Sequence, residues 1–166
     1  MDAYPLESLL SVRHFREEEA KRSVRYAELA VREAEQEVLE RQKQLEEYRQ
    51  WRLEEEERRY DSIMNKIMTM RALDDFKAGL AQLAATEALK EEEIRKAEKK
   101  VLEAQNVLNK ARETAKQALK NTTKIQTHKN IWMEEWKKEA EHREDLELEE
   151  FRPISRIGAE AEGEDA

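Results

Sequence analysis

The fold is decided by residues 94–118, IRKAEKKVLEAQNVLNKARETAKQA, in which apolar side chains recur alternately every three and four positions. This spacing is a heptad repeat, whose first and fourth positions lie on one face of an α-helix. The fourth position is alanine in successive heptads, at residues 97, 104, 111 and 118. Small side chains let a second helix approach closely, provided that larger side chains face them. The stretch therefore predicts one partner of a coiled coil.

The same heptad frame extends in both directions from this stretch and predicts a long second helix. Its apolar positions are Phe76, Leu80, Leu83, Ile94, Ala97, Val101, Ala104, Leu108, Ala111, Ala115, Ala118, Ile125, Trp132 and Trp136. An earlier frame predicts a first helix through Leu6, Leu10, Ala20, Val24, Ala27, Val31, Ala34, Val38, Leu45 and Tyr48, and it slips by one residue beyond Trp51. We therefore predict an all-α protein with two long helices in an antiparallel coiled-coil hairpin.

The predicted boundaries follow from helix-capping and turn signals. Helix 1 is expected over about residues 6–68, the turn over about 69–73 and helix 2 over about 74–150. Thr69 is a residue type that caps helix N-termini. The hairpin domain then covers residues 1–151. Residues 152–166 contain Pro153 and Gly158 and are rich in Ala and Glu, so this acidic tail is expected to be disordered.

A fold-back in which paired residue numbers sum to 142 sets large seam residues against small ones. The predicted pairs are Val38 with Ala104, Ala34 with Leu108, Val31 with Ala111, Val24 with Ala118, Leu10 with Trp132 and Leu6 with Trp136. Beyond the slip the sum becomes 143, and the predicted pairs are Ile63 with Leu80 and Ile67 with Phe76. Heptad phase also allows sums that are larger or smaller by seven, and it allows a continuous parallel dimer.

Charge and composition argue against several classes of partner. Of the 166 residues 42% are charged, and the 31 basic residues are interspersed with 39 acidic ones, so no basic stripe is available for nucleic acid or anionic lipid. The sequence has neither a signal-peptide pattern nor an apolar run of about 20 residues, so no direct membrane insertion is expected. The absence of Cys is typical of a cytoplasmic protein.

The sequence offers no motif for catalysis or for metal binding. The three histidines, His14, His128 and His142, are scattered and lack the spacing of metal ligands. There is no glycine-rich phosphate loop or nucleophile elbow, and two packed helices cannot exclude water from a reacting group. We expect no enzymatic activity, no metal and no cofactor, and a function in binding.

The few aromatic residues are the best candidates for contacts with other proteins. Trp132 and Trp136 fall on the seam near the open end, where they either form a hydrophobic clasp with Leu6 and Leu10 or dock into another protein. Trp51 lies outside the frame at the point where the frame slips. It is predicted to be partly exposed and to serve as a contact residue.

Three stretches resemble the YscO family of type III secretion proteins, the non-flagellar counterpart of the flagellar export protein FliJ. They are residues 4–6, YPL, with 9–13, LLSVR; residues 48–57, YRQWRLEEEE; and residues 128–129, HK, with 132–133, WM. The resemblance covers about residues 4–150. It implies a cytoplasmic virulence-associated component, peripheral to the secretion apparatus at the inner membrane, that is similar to the central stalk of a rotary ATPase.

The resemblance also implies partners and contact residues. The partners would be the type III secretion ATPase, the cytoplasmic domain of the export gate and a translocator chaperone, each bound by a monomer. The resemblance assigns gate or chaperone contact to Leu45, Tyr48, Trp51, Phe76, Leu80 and Leu83. By the stalk analogy, the end facing the ATPase ring would carry Arg13, His14, His128, Trp132 and Trp136. The alternative function is that of a generic coiled-coil scaffold or spacer.

Overall fold

Two long α-helices make up the fold. The computed structural model describes residues 3–161, with side chains over residues 3–152, and this part contains no strand. Helix α1 spans Glu7–Ile63 and helix α2 spans Met70–Ala161. The predicted all-α antiparallel hairpin is confirmed. The tail expected at residues 152–166 overlaps α2 as far as Ala161, and its remainder, residues 162–166, lies outside the described residues.

The chain divides into two units, each of which contains a segment of both helices. The described part of unit 1 comprises residues 3–19 and 116–161, and unit 2 comprises residues 20–115. The core of unit 2 is a narrow seam of alternating large and small side chains. Its buried members are Ala27, Val31 and Leu108, and Val24, Ala104 and Ala111 pack against them. A narrow seam of this kind leaves most other side chains at the surface.

Residues 64–69 form the turn between the helices, and Asn65 explains its position. Asn65 adopts a φ of 59°, in the left-handed region that asparagine tolerates better than most side chains. Thr69 is the N-cap of α2, as predicted, because its Oγ1 accepts a hydrogen bond from the Ala72 amide at 3.1 Å. The turn precedes the expected residues 69–73, because Asn65 allows the chain to leave α1 without a glycine.

The position of the turn also sets the register of the two helices. Tyr60 packs edge-on against Phe76, with ring centroids 5.3 Å apart, and these residue numbers sum to 136. The predicted packing of Ile67 on Phe76 is wrong, because Ile67 lies in the turn and is fully exposed. The observed sum of 136 is close to the register that lies one heptad below the predicted sum of 142, which heptad phase also allows. A shift of one heptad keeps the same residues on the seam and changes only their partners.

Candidate functional site

Aromatic and charged side chains gather around Trp51 in unit 2. Tyr48 and Trp51 lie one turn apart on α1, with ring centroids 5.5 Å apart and an interplanar angle of 37°. The Tyr48 hydroxyl donates a hydrogen bond to the backbone carbonyl of Leu83 at 2.9 Å. Lys90 Nζ lies 5.4 Å from the centroid of the Tyr48 ring, within range of a cation–π interaction. We call Tyr48, Trp51, Leu83 and Lys90 the Trp51 cluster.

The six residues expected to contact the gate or a chaperone differ in exposure. Trp51 is 47% exposed, which confirms the prediction that this aromatic is partly exposed. Leu45 and Leu83 are buried in the seam. The part-buried members are Tyr48, Phe76 and Leu80. Of the six, Trp51 therefore presents the most accessible apolar surface without any opening of the helix pair.

A network of ion pairs surrounds the Trp51 cluster and crosses between the helices. Arg49 donates to Glu87 at 2.7 Å and to Glu91 at 3.0 Å. Arg52 donates to Glu87 and also to Glu56 on its own helix. The hydrogen bond from Arg49, with a further one from Arg52, holds the pKa of Glu87 below its ordinary value, although partial burial opposes this shift. The network holds the backbone on both sides of Trp51 in one arrangement.

Sequence reasoning missed Arg49, Arg52 and Glu87 as partners. In the expected register these residues do not face one another, so their opposite charges did not predict an ion pair. Under the observed register the numbers of Arg49 and Glu87 sum to 136, the same as those of Tyr60 and Phe76. Heptad phase allows several registers, and the pairing of opposite charges across the seam distinguishes between them. That pairing favours the register with a sum of 136.

Close to the turn, Glu55 binds two arginines at once. Its carboxylate accepts hydrogen bonds from Arg58 Nη2 at 2.5 Å and from Arg59 Nε at 2.9 Å. These bonds lower the pKa of Glu55 to about 2. Gly79 leaves room for this arrangement, since a Cβ at residue 79 would lie 3.0 Å from Arg59 Nη1. The acidic run at residues 54–57 is therefore more than a solvated helix face.

Unit 1 contains a second aromatic cluster, which we call the Tyr4 cluster: Tyr4, His128 and Trp132. Tyr4 is buried, and its hydroxyl lies 2.5 Å from His128 Nδ1. The Tyr4 ring lies 5.8 Å from the His128 ring and 5.5 Å from the Trp132 ring, measured between centroids. Trp132 therefore packs against Tyr4, and the numbers of this pair sum to 136, whereas the predicted pair of Leu10 with Trp132 sums to 142.

Sequence reasoning missed Tyr4 as a packing residue because the residue precedes the heptad frame. Pro5 follows it, and α1 begins at Glu7, whose amide bonds to the Tyr4 carbonyl at 3.2 Å. A turn at this point brings the Tyr4 ring back against α2. The one signal that could have identified it is the residue type, because large aromatic side chains are seldom left without a packing partner.

The other residues expected at the ATPase-facing end also lie in unit 1. His14 is exposed, with Nδ1 3.8 Å from the carboxylate of the buried Glu17. Arg13 and Trp136 are part-buried. The backbone carbonyl of Arg13 accepts a hydrogen bond from buried Thr122 at 3.2 Å. In the described part of the chain, Arg13 Nε is buried without a hydrogen-bond partner.

Two negative observations apply to residues 3–161. Within residues 3–152, whose side chains are described, no group of three or more His, Asp or Glu is arranged so that it could hold a metal ion. Neither helix has, over residues 3–161, a segment both long enough and apolar enough to cross a lipid bilayer.

The fold defines a class of protein, the antiparallel helical hairpins whose two helices pack along a coiled-coil seam. The family model for the type III secretion protein YscO matches residues 6–153. The chain therefore belongs to the YscO family of type III secretion proteins.

Two solved structures are similar to this chain. The type III secretion protein YscO from Vibrio parahaemolyticus has a TM-score of 0.80 and 25% identity, over 88% of this chain and 92% of that one. A YscO homologue from Chlamydia trachomatis has a TM-score of 0.75 over 97% of this chain and 99% of that one, and at 24% identity it shows the shared fold alone. No curated protein sequence matches at a significant level.

Proposed function

We propose that this protein acts in the cytoplasm as a binding component of the type III secretion machine and has no catalytic role. Its principal contact, through the Trp51 cluster, is with the cytoplasmic domain of the export gate or with a translocator chaperone. The observation that carries this proposal is the exposure of Trp51, 47% of whose surface is open to solvent beside Tyr48. Trp, Tyr and Arg dominate the energetics of protein interfaces.

The surroundings of Trp51 support this role because they are already ordered. Tyr48 is held by its hydrogen bond to Leu83, and Arg49 and Arg52 are held by Glu87. A side chain that is ordered before binding loses little conformational entropy when a partner covers it. The surface is therefore suited to a partner with an apolar pocket for the Trp51 indole.

A second contact, with the secretion ATPase, is proposed for unit 1. The Tyr4 cluster holds the two helices together there, and His14 is exposed in the same unit. In this arrangement the protein, as a monomer at the periphery of the inner-membrane apparatus, acts as a stalk within the ATPase ring.

The test of the principal contact is the variant Trp51→Ala, with affinity measured by calorimetry against the cognate ATPase, the gate domain and the chaperone. We expect at least a tenfold loss of affinity for the gate domain or the chaperone, equivalent to about 1.4 kcal/mol. Tyr26→Ala is the matched control, because Tyr26 is a 67% exposed aromatic on the same helix and in the same unit. This control should retain wild-type affinity.

Two outcomes would contradict the proposal. If Trp51→Ala bound all three partners as tightly as the wild type, Trp51 would not be a contact residue. If the wild-type protein bound none of them, the generic scaffold or spacer would be the better description.

The contact with the ATPase is tested by comparing the affinity of Trp136→Ala for the ATPase with that of Ile131→Ala. Ile131 is the control because it is exposed on the same helix.

A further inference from the structure

An apolar groove lies between the helices of unit 2, away from the Trp51 cluster. Its volume is about 360 Å³, and its lining is mostly apolar. The groove is lined by Glu35, Val38, Leu39, Gln42, Glu98 and Val101. Ala97 lies on the seam beside it and is buried. Since alanine is too small to fill the space next to the two valines, the side of the helix pair is hollow at this point.

The groove continues onto exposed leucines on both helices. Leu39 is 60% exposed on α1, and Leu102 is 62% exposed on α2, one turn from Glu98. Leu39 lines the groove beside Val38, and Leu102 follows Val101 in sequence on α2. Exposed leucines of this kind on a monomeric coiled coil are typical of a contact surface.

The rim of the groove is acidic, and its charges are unsatisfied. Glu35 and Glu98 form no ion pair in the described part of the chain. Two nearby cations, Arg41 and Lys100, both pair with Glu37. The groove therefore presents apolar side chains between two carboxylates that form no ion pair within the described residues.

The spacing of the lining residues matches the packing of a third helix. Glu35, Val38, Leu39 and Gln42 stand at i, i+3, i+4 and i+7 on α1, which is one face of a helix. A helix laid along this face would place its own apolar residues between Val38 and Val101 and its flanking residues over the carboxylates.

We propose that this groove, the Val38 groove, binds an amphipathic helix of another protein, which presents aliphatic side chains flanked by Lys or Arg. Charge complementarity selects this occupant, because cations on the incoming helix would pair with Glu35 and Glu98. A second copy of this chain that docked groove to groove would place these carboxylates against each other, which is unfavourable. The proposal goes beyond the contacts proposed above and does not depend on them.

The test uses the full chain with methyl-labelled Val and Leu and two designed helical peptides of about 18 residues. One peptide carries Leu at i, i+3, i+4 and i+7 with flanking Lys, and the other has Glu in place of each Lys. We expect the Lys peptide to shift the NMR signals of Val38, Leu39 and Val101. The Glu peptide should bind at least tenfold more weakly.

Variants separate specific binding from general attraction to an acidic protein. The double variant Glu35→Gln/Glu98→Gln should lower the affinity of the protein for the Lys peptide about fivefold. Glu54→Gln/Glu113→Gln makes the same charge change at exposed positions outside the groove and should alter affinity less than about twofold.

A second pair of variants tests the apolar contact. Leu39→Ser should weaken binding of the Lys peptide, whereas Leu89→Ser, at a similarly exposed leucine of α2, should not. The proposal is overturned if neither peptide binds, if both bind alike, or if the shifted methyl groups lie outside the groove. It is also overturned if the Leu39 signal depends on protein concentration without peptide, because the occupant would then be a second copy.

Discussion

At the residue scale, Glu55 shows how a helix of high charge content gains specific structure. Its carboxylate is shared by Arg58 and Arg59, and its pKa falls from an ordinary value of 4.5 to about 2. A carboxylate with a depressed pKa stabilises the folded state above its unfolded pKa. That contribution disappears as pH falls from about 4.5 to about 2.

We predict that Glu55→Gln destabilises the protein at neutral pH and that most of the difference from the wild type is lost by pH 2. The physical reason is that the wild-type carboxylate is about half protonated at its pKa of about 2, and the unfolded chain is almost fully protonated there. Urea unfolding followed by circular dichroism at pH 7, 4.5 and 2 measures the effect. Glu54→Gln is the control, since Glu54 forms no ion pair in the described structure and its effect should be small at every pH.

Within the candidate site, the sequence predicted only those features that depend on a residue's own position in the heptad frame. The exposure of Trp51 followed from the slip of the heptad frame at that residue. The bonds that surround it, such as that of Arg49 with Glu87, depend on the register and could not be deduced from one helix. Tyr4 precedes the frame altogether, so periodicity contained no information about it.

At the scale of the helices, the turn decides the register of the two helices, which the heptad pattern leaves undetermined. The pattern identified both helices because apolar residues at heptad spacing have few other ways to be buried. It could not identify the register, because a shift by one heptad restores every seam contact type. Asn65, with its left-handed backbone, and Thr69, as the N-cap of α2, resolve this ambiguity by setting where the chain turns.

We predict that the turn residues respond differently to substitution. Asn65→Val should destabilise the protein by about 1–2 kcal/mol, because a branched side chain clashes with the backbone at positive φ. Asn65→Gly should be close to neutral. Thr69→Ala should cost about 1 kcal/mol through loss of the cap. Denaturant midpoints measure all three, and Lys66→Ala, at an exposed turn residue, is the control. A tolerated Asn65→Val would show that the turn has another conformation.

At the scale of the whole molecule, the path of the chain can be tested through its interhelical ion pairs. Lys129 Nζ lies 2.8 Å from Glu7 in unit 1, and Lys100 Nζ lies 3.8 Å from Glu37 in unit 2. Each ion pair links α1 to α2 within one unit. A register sum of 142 would instead place residue 13 opposite Lys129 and residue 42 opposite Lys100.

We predict that a zero-length carbodiimide cross-linker joins Lys129 to Glu7 and Lys100 to Glu37 within single chains. Mass spectrometry of the monomer band, at low protein concentration, identifies these links. Mixing labelled and unlabelled protein provides the control, since links within a chain contain no mixed pairs. Mixed pairs between equivalent regions of the two chains would indicate a parallel dimer instead.

The contact between Tyr4 and His128 joins residues 124 positions apart, whereas that between Tyr48 and Leu83 spans 35. Closing the longer loop first costs more chain entropy, so pairing is favoured to start beside the turn and to proceed towards the termini. During synthesis, however, Tyr4 leaves the ribosome long before His128 does. The newly made α1 must therefore keep its apolar seam unpaired until α2 has been translated, and Tyr4 is among the last side chains to find its partner.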